Sequence, residues 1–197
     1  QKINPPGPEE MNVLLLERAN RVDAAETNLD LVIDEYRDLS TSTINKYLKD
    51  PISNVGEGRG GMGRSTGDEK ALQELKRVLP SSTKKVEAYN DEVLRLIETK
   101  QLPEDSPRLG SLALLTRDIP EGYPEFNFTV NDAVGLRLDL QKSMAESTDG
   151  SVTKNFKPIV NALDKFLEDI LPEGEIVKLF NALDIRDYEV FKKMDGK

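Results

Sequence analysis

The chain has 197 residues, 37% of them hydrophobic and 32% charged, with a formal net charge of -9. That length suits one domain, with or without appendages, and is enough to bury a substantial core. The acidic balance works against binding nucleic acid or anionic lipid, no apolar run approaches the roughly 18 to 20 residues of a bilayer span, and the absence of Cys, His and Trp removes thiolate and imidazole nucleophiles, cysteine-histidine zinc sites and disulfides.

In chain order, residues 1–8 hold Pro5, Pro6 and Pro8 and predict an extended, polyproline-like arm. Leu15, Val22, Leu29 and Tyr36, with Ala25, Val32 and Leu39 interleaved, predict a helix from about 9 to 39 whose apolar face Arg18 interrupts. Residues 41–50 extend it or form a short second helix with Ile44, Tyr47 and Leu48 facing in, and Asp50-Pro51 is expected to end it. A glycine-rich loop spans 53–67. From Asp68, a cap candidate, Leu72, Leu75, Leu79, Val86, Tyr89, Val93 and Leu96 form a seam to residue 100, with a kink or break at Pro80 and Ser81 or Ser82 capping the continuation. The run 109–115 reads equally as helix or strand, and 119–128, IPEGYPEFNF, as a loop pinned by its rings. Ala133, Leu136, Leu140 and Met144 mark a third helix, and Val152, Phe156, Ile159, Leu163, Phe166 and Ile170 a fourth. Two short helices, about 175–182 and 185–194, complete the chain. The expected fold is all-α: an up-down four-helix bundle as a single domain over 9–197, with an extended Pro-rich N-terminal arm and short C-terminal helices.

GEGRGGMGRSTG, residues 56–67, holds six of the thirteen glycines. From Gly58 it spells the phosphate-loop pattern G-x-x-x-x-G-K-[ST] with Arg64 in place of lysine. A working phosphate loop also follows a buried parallel strand, and ISNV is too short and polar for one. Asp118, after LALLTR, is the best magnesium partner on offer, but it makes no parallel sheet. The hinge reading is preferred to the nucleotide reading. Arg59 and Arg64 can still dock on an acidic surface or simply solvate the loop. The carboxylate pairs Glu9-Glu10, Asp34-Glu35 and Glu168-Asp169 lie beside the apolar stripes and read as solvated faces rather than acid-base or calcium sites. Tyr123, Phe126 and Phe128 are core packing or an interface anchor. The proline arm has no local core, so its partner-binding candidates are Pro5, Pro6 and Pro8, joined by Arg59, Arg64, Tyr123 and Phe126. No catalytic residue, cofactor or metal site is expected.

A proline-containing arm ahead of an up-down bundle that lacks Cys, His and Trp resembles the PsbQ-like extrinsic proteins of photosystem II, on the lumenal side of thylakoids. DEKALQELKRVL (68–79) and GLRLDLQKSM (135–144) are similar to helical segments of that family. A start at Gln1 rather than Met is expected of a processed or trimmed chain. The resemblance implies a non-catalytic subunit in the chloroplast thylakoid lumen, peripherally attached to a membrane complex, that stabilises its protein neighbours and shields the oxygen-evolving side. Two other readings stand beside it: a helical protein-binding adaptor domain in another compartment, and a nucleotide-binding protein using residues 58–65.

Overall fold

The computed structural model describes residues 7–36, 39–41, 44–56, 66–79 and 84–195, with only the backbone described at 40, 41, 66 and 188–195. It is all-α, with eight helices among the described residues and one pair of two-residue strands. Contacts divide the chain into two compact units, residues 1–36 with 171–197, and residues 37–170, where the sequence suggested one domain from 9 to 197.

The first unit is a pair of long helices, α1 (Pro8–Glu35) and α8 (Glu173–Asp195), packed on each other. They run antiparallel, since Tyr36 at the end of α1 lies beside Glu175 and Lys178 in the first turns of α8. Gly7 is the extended residue before α1, and its N–H donates to Glu10 Oε2 at 3.0 Å. Pro8 is therefore the first helical residue and not part of an arm. Its fixed φ suits the first turn, and its missing N–H is one that a helix start leaves unbonded anyway. Helix α1 stops four residues short of the expected 39, its end closed by Tyr36 N–H donating to Val32 O at 3.0 Å. Ala25, Leu29 and Val32 are buried on α1, and Leu179, Ala182 and Leu183 on α8. The two short C-terminal helices anticipated from sequence are this one continuous α8, because neither glycine nor proline interrupts 175–195.

The second unit contains β1 (Ser40–Thr41), α2 (Asn45–Ser53), α3 (Thr66–Val78), α4 (Lys84–Glu98), α5 (Ser111–Thr116), β2 (Phe128–Thr129), α6 (Val130–Glu146) and α7 (Gly150–Ile170). Helix α7 is its axis, and α2, α3 and α6 all pack against it. Its spacing of three and four buries Val152, Phe156, Ile159, Val160, Leu163, Phe166 and Leu167 in one stripe. Pro158 sits inside α7 on its exposed side, where the loss of one backbone bond does not open the core. Pro51 is likewise inside α2 rather than after it: the helix runs on to Ser53, with Asn54 N–H donating to Asp50 O at 3.0 Å. Ile52 and Val55 are both buried, and their packing holds this last turn against the local preference for a break before proline. The seam over 68–100 is two helices, α3 and α4; Pro80, Ser81 and Ser82 lie outside the described residues. The ambiguous run 109–115 is resolved as α5, anchored by Asn90, which accepts from Leu109 N–H at 3.1 Å and donates to Leu109 O at 3.3 Å. Strands β1 and β2 pair antiparallel, Ser40 opposite Thr129 and Thr41 opposite Phe128.

At Gly56, the first residue of the glycine-rich stretch, φ is +76°, and an added Cβ would meet Leu72 Cβ at 3.3 Å and Asp68 O at 3.2 Å. Glycine is required there by both backbone and space. Its N–H points to Asn155 Oδ1 at 3.4 Å, so the start of the loop is fixed against α7.

Candidate partner-binding surface

Helix α1 has two unlike halves. From Ala25 onward one stripe is buried, Ala25, Leu29 and Val32 at spacings of four and three, while Leu31, off that stripe, is exposed. Before Ala25 no side chain is buried. Met11, Val13, Leu14, Leu15 and Leu16 are 44%, 56%, 51%, 54% and 63% exposed. The cause is in the order of residues: each step turns about 100° around a helix, so four consecutive apolar residues, 13–16, occupy the whole circumference. A single neighbouring helix can cover only one stripe of it. Leu15, expected in the same seam as Leu29, is therefore surface.

Charge defines the chemistry of this surface. Glu9, Glu10 and Glu17 border Val13 and Leu14, and the five residues together line a shallow cleft of about 530 Å³. No Lys or Arg occurs between Gly7 and Glu17. The result is an apolar patch flanked by Glu9, Glu10 and Glu17, with Arg18 the next residue, at the start of α1.

The other sequence-derived candidates fall elsewhere. Pro5, Pro6, Arg59 and Arg64 lie outside the described residues. Pro8 is in the first turn of α1, a few residues from the exposed run. Phe126 and Phe128 are 6% and 5% exposed, and Tyr123 is half-buried. Phe126 meets Tyr89 edge-on, centroids 6.0 Å apart at 87°, and Phe128 meets Phe166 at 5.8 Å and 73°. These two rings are core residues of the second unit. Burial, with Tyr123 nearby, pushes the Tyr89 phenol up to about 12, and its hydroxyl has no hydrogen-bond partner among the described residues.

The chain matches no known protein family, curated protein or solved structure.

The carboxylates Asp169, Glu74 and Asp118 are held in separate local networks. Asp169 accepts from Lys165 Nζ at 2.8 Å and from the Tyr47 hydroxyl at 3.0 Å, bonds that hold it below the usual carboxylate range, Lys165 contributing most. Glu74 is lowered chiefly by its bonds from Arg77 and also by Ser143, whose hydroxyl donates to it at 2.7 Å. Asp118 is 85% exposed, taking Asn45 Nδ2 at 3.3 Å and Lys49 Nζ at 3.6 Å. Among the described residues no group of three or more His, Cys, Asp or Glu is placed to hold a metal ion, and no helix is long and apolar enough to cross a membrane. The exposed start of α1 escaped sequence reading because Leu15 fits a seven-residue repeat. The available signal was density: M-N-V-L-L-L carries more apolar residues than one buried stripe can use.

Proposed function

We propose that this chain is a non-catalytic helical subunit that attaches to a larger protein assembly through the first turns of α1. The observation that carries the proposal is the exposure of Met11 and of the consecutive Val13, Leu14, Leu15 and Leu16, on a helix whose other half buries Ala25, Leu29 and Val32. The acidic rim selects the occupant. A basic amphipathic segment of a partner subunit pairs its cations with Glu9, Glu10 and Glu17 while its apolar side covers Val13 and Leu14. A second copy of the chain would bring acid against acid, and an anionic membrane would do the same.

We propose, from the resemblance of the sequence to PsbQ-like extrinsic proteins, that the assembly is the lumenal side of photosystem II, where the chain would stabilise neighbours and shield the oxygen-evolving side. An up-down four-helix bundle, as the sequence suggested it, belongs to the same reading. An adaptor in another compartment would use the same surface.

Titration of the full chain with synthetic amphipathic helices tests the surface. A Leu/Lys peptide should bind with strong salt dependence, its Leu/Glu counterpart should not, and Leu14→Glu with Leu16→Glu should weaken the basic peptide about tenfold or more. Equal binding of both peptides, or an unaffected double variant, would refute it. Saturable rebinding to salt-washed photosystem II membranes tests the compartment separately, and failure there alone would leave the adaptor reading.

A further inference from the structure

The second unit carries a cleft of about 280 Å³ between the end of α3 at Val78 and Leu79, α4, α5, α6 and the segment 126–128. Its walls are Val86, Leu115, Phe126, Phe128 and Leu136, and its polar groups include Lys85, Asp132 and Asp139. Ligand clefts run from ~300 to 1,000 Å³, apolar with a few convergent polar groups, so this one is at the small end of that class.

We propose that this cleft binds a small molecule with an aromatic or branched aliphatic body and a cationic, amine-type head. The body follows from the walls. The head follows from the charges in the lining, two carboxylates, Asp132 and Asp139, to one ammonium, Lys85, with Arg77 acting on Asp139 from outside it. Asp132 has capacity to spare. Lys85 Nζ, Thr129 N–H at 2.8 Å and the Thr129 hydroxyl at 2.8 Å all donate to its Oδ2, and none of them to Oδ1. The same bonds hold the carboxylate still: Asp132 N–H donates back to Thr129 Oγ1 at 3.2 Å, completing a capping box at the start of α6.

Gly135 supplies an independent reason. It lies inside the 17-residue α6, where glycine costs stability relative to alanine, and it lines the cleft. A Cβ added there would meet nothing within 4 Å, so neither packing nor backbone geometry requires glycine. Its lack of a side chain keeps the cleft open. This site is in a different unit from the start of α1 and does not depend on the docking surface proposed there.

The test is amide NMR of the full ¹⁵N-labelled chain titrated with phenethylamine, phenethyl alcohol and 3-phenylpropionate. Phenethylamine should shift the amides of Val86, Phe128 and Gly135 and bind tightest of the three, with the carboxylate weakest. Gly135→Leu, which grows a side chain into the open space, should weaken the amine about tenfold or more, and Gly135→Ala should not. Asp139→Asn, at an exposed position, should shrink the preference for amine over alcohol about threefold. The proposal is overturned by absent shifts at the cleft, by amine binding equally well to a folded Gly135→Leu chain, by carboxylate binding as tight as amine, or by an unchanged preference in Asp139→Asn.

Discussion

Helix α7 and the first half of α1 are both rich in large apolar residues, yet one buries seven of them and the other none. The difference is arrangement. In α7 the residues Val152, Phe156, Ile159, Leu163 and Phe166 recur at three and four, and three helices close on that stripe. In α1 the residues Val13, Leu14, Leu15 and Leu16 are consecutive and have no common face. Spacing makes a core stripe; unspaced density beyond it leaves apolar side chains exposed.

The largest effect should come from the packed side of this comparison. Leu163, fully buried at the centre of α7, should cost about 2 to 5 kcal/mol as Leu163→Ala, the transfer and cavity cost of a buried leucine. An unchanged midpoint in urea would place α7 with the exposed half of α1 and break the contrast.

Charge sharpens it at a smaller scale. Glu74 is held below the usual carboxylate range by Arg77 and Ser143, so its folded-state value lies below its unfolded one. The stability it adds is present above the unfolded value, near pH 4.5, and is lost as pH falls through the folded one. Glu74→Gln should cost at most about 1 kcal/mol at pH 7, given solvent screening, and should flatten the acid side of a stability-against-pH curve. An identical acid limb in the variant would show that the network of Glu74, Arg77 and Ser143 does not form in solution.

Tyr89 acts at the other end of the scale. Its folded value of about 12 lies above the ordinary 10.0, so its contribution is complete below pH 10.0 and is lost as pH rises through about 12. Tyr89→Phe removes a buried hydroxyl that bonds to no described group, so stability at pH 7 should change by less than about 1 kcal/mol, in the stabilising direction, and the alkaline loss should shrink. A marked loss at neutral pH would mean the hydroxyl has a partner.

The smallest stability effect belongs to the start of α1. Leu14→Glu with Leu16→Glu should move the melting free energy by no more than about 0.5 kcal/mol, although the same changes at Leu163 and Leu167 would be ruinous. A large loss would mean that this run is core.

Sequence periodicity gave helices α3, α4, α6 and α7 close to their limits because each has a spaced stripe and a defined stop. Distant packing overrode a local rule at Pro51, which lies inside α2, whereas Pro8 opens α1 by the local preference for proline in a first helical turn rather than stiffening an arm. Pairing of the first helix with the last was not legible, since amphipathic spacing states that a face is buried but not what buries it. Phe126 and Phe128 were legible as core or interface, and choosing core required their edge contacts with Tyr89 and Phe166. The cleft beside Gly135 left only one trace in the sequence, a glycine inside an otherwise ordinary helix.

The central claim, that the first half of α1 is a surface completed by a partner, is tested most directly by amide hydrogen exchange along that helix, with and without the basic amphipathic peptide. In the free chain, amides of residues 11–24 should exchange far faster than those of 25–35, and the peptide should slow the first group while leaving the second unchanged. Equal protection of both halves in the free chain, or slowing spread evenly along the helix, would contradict the account.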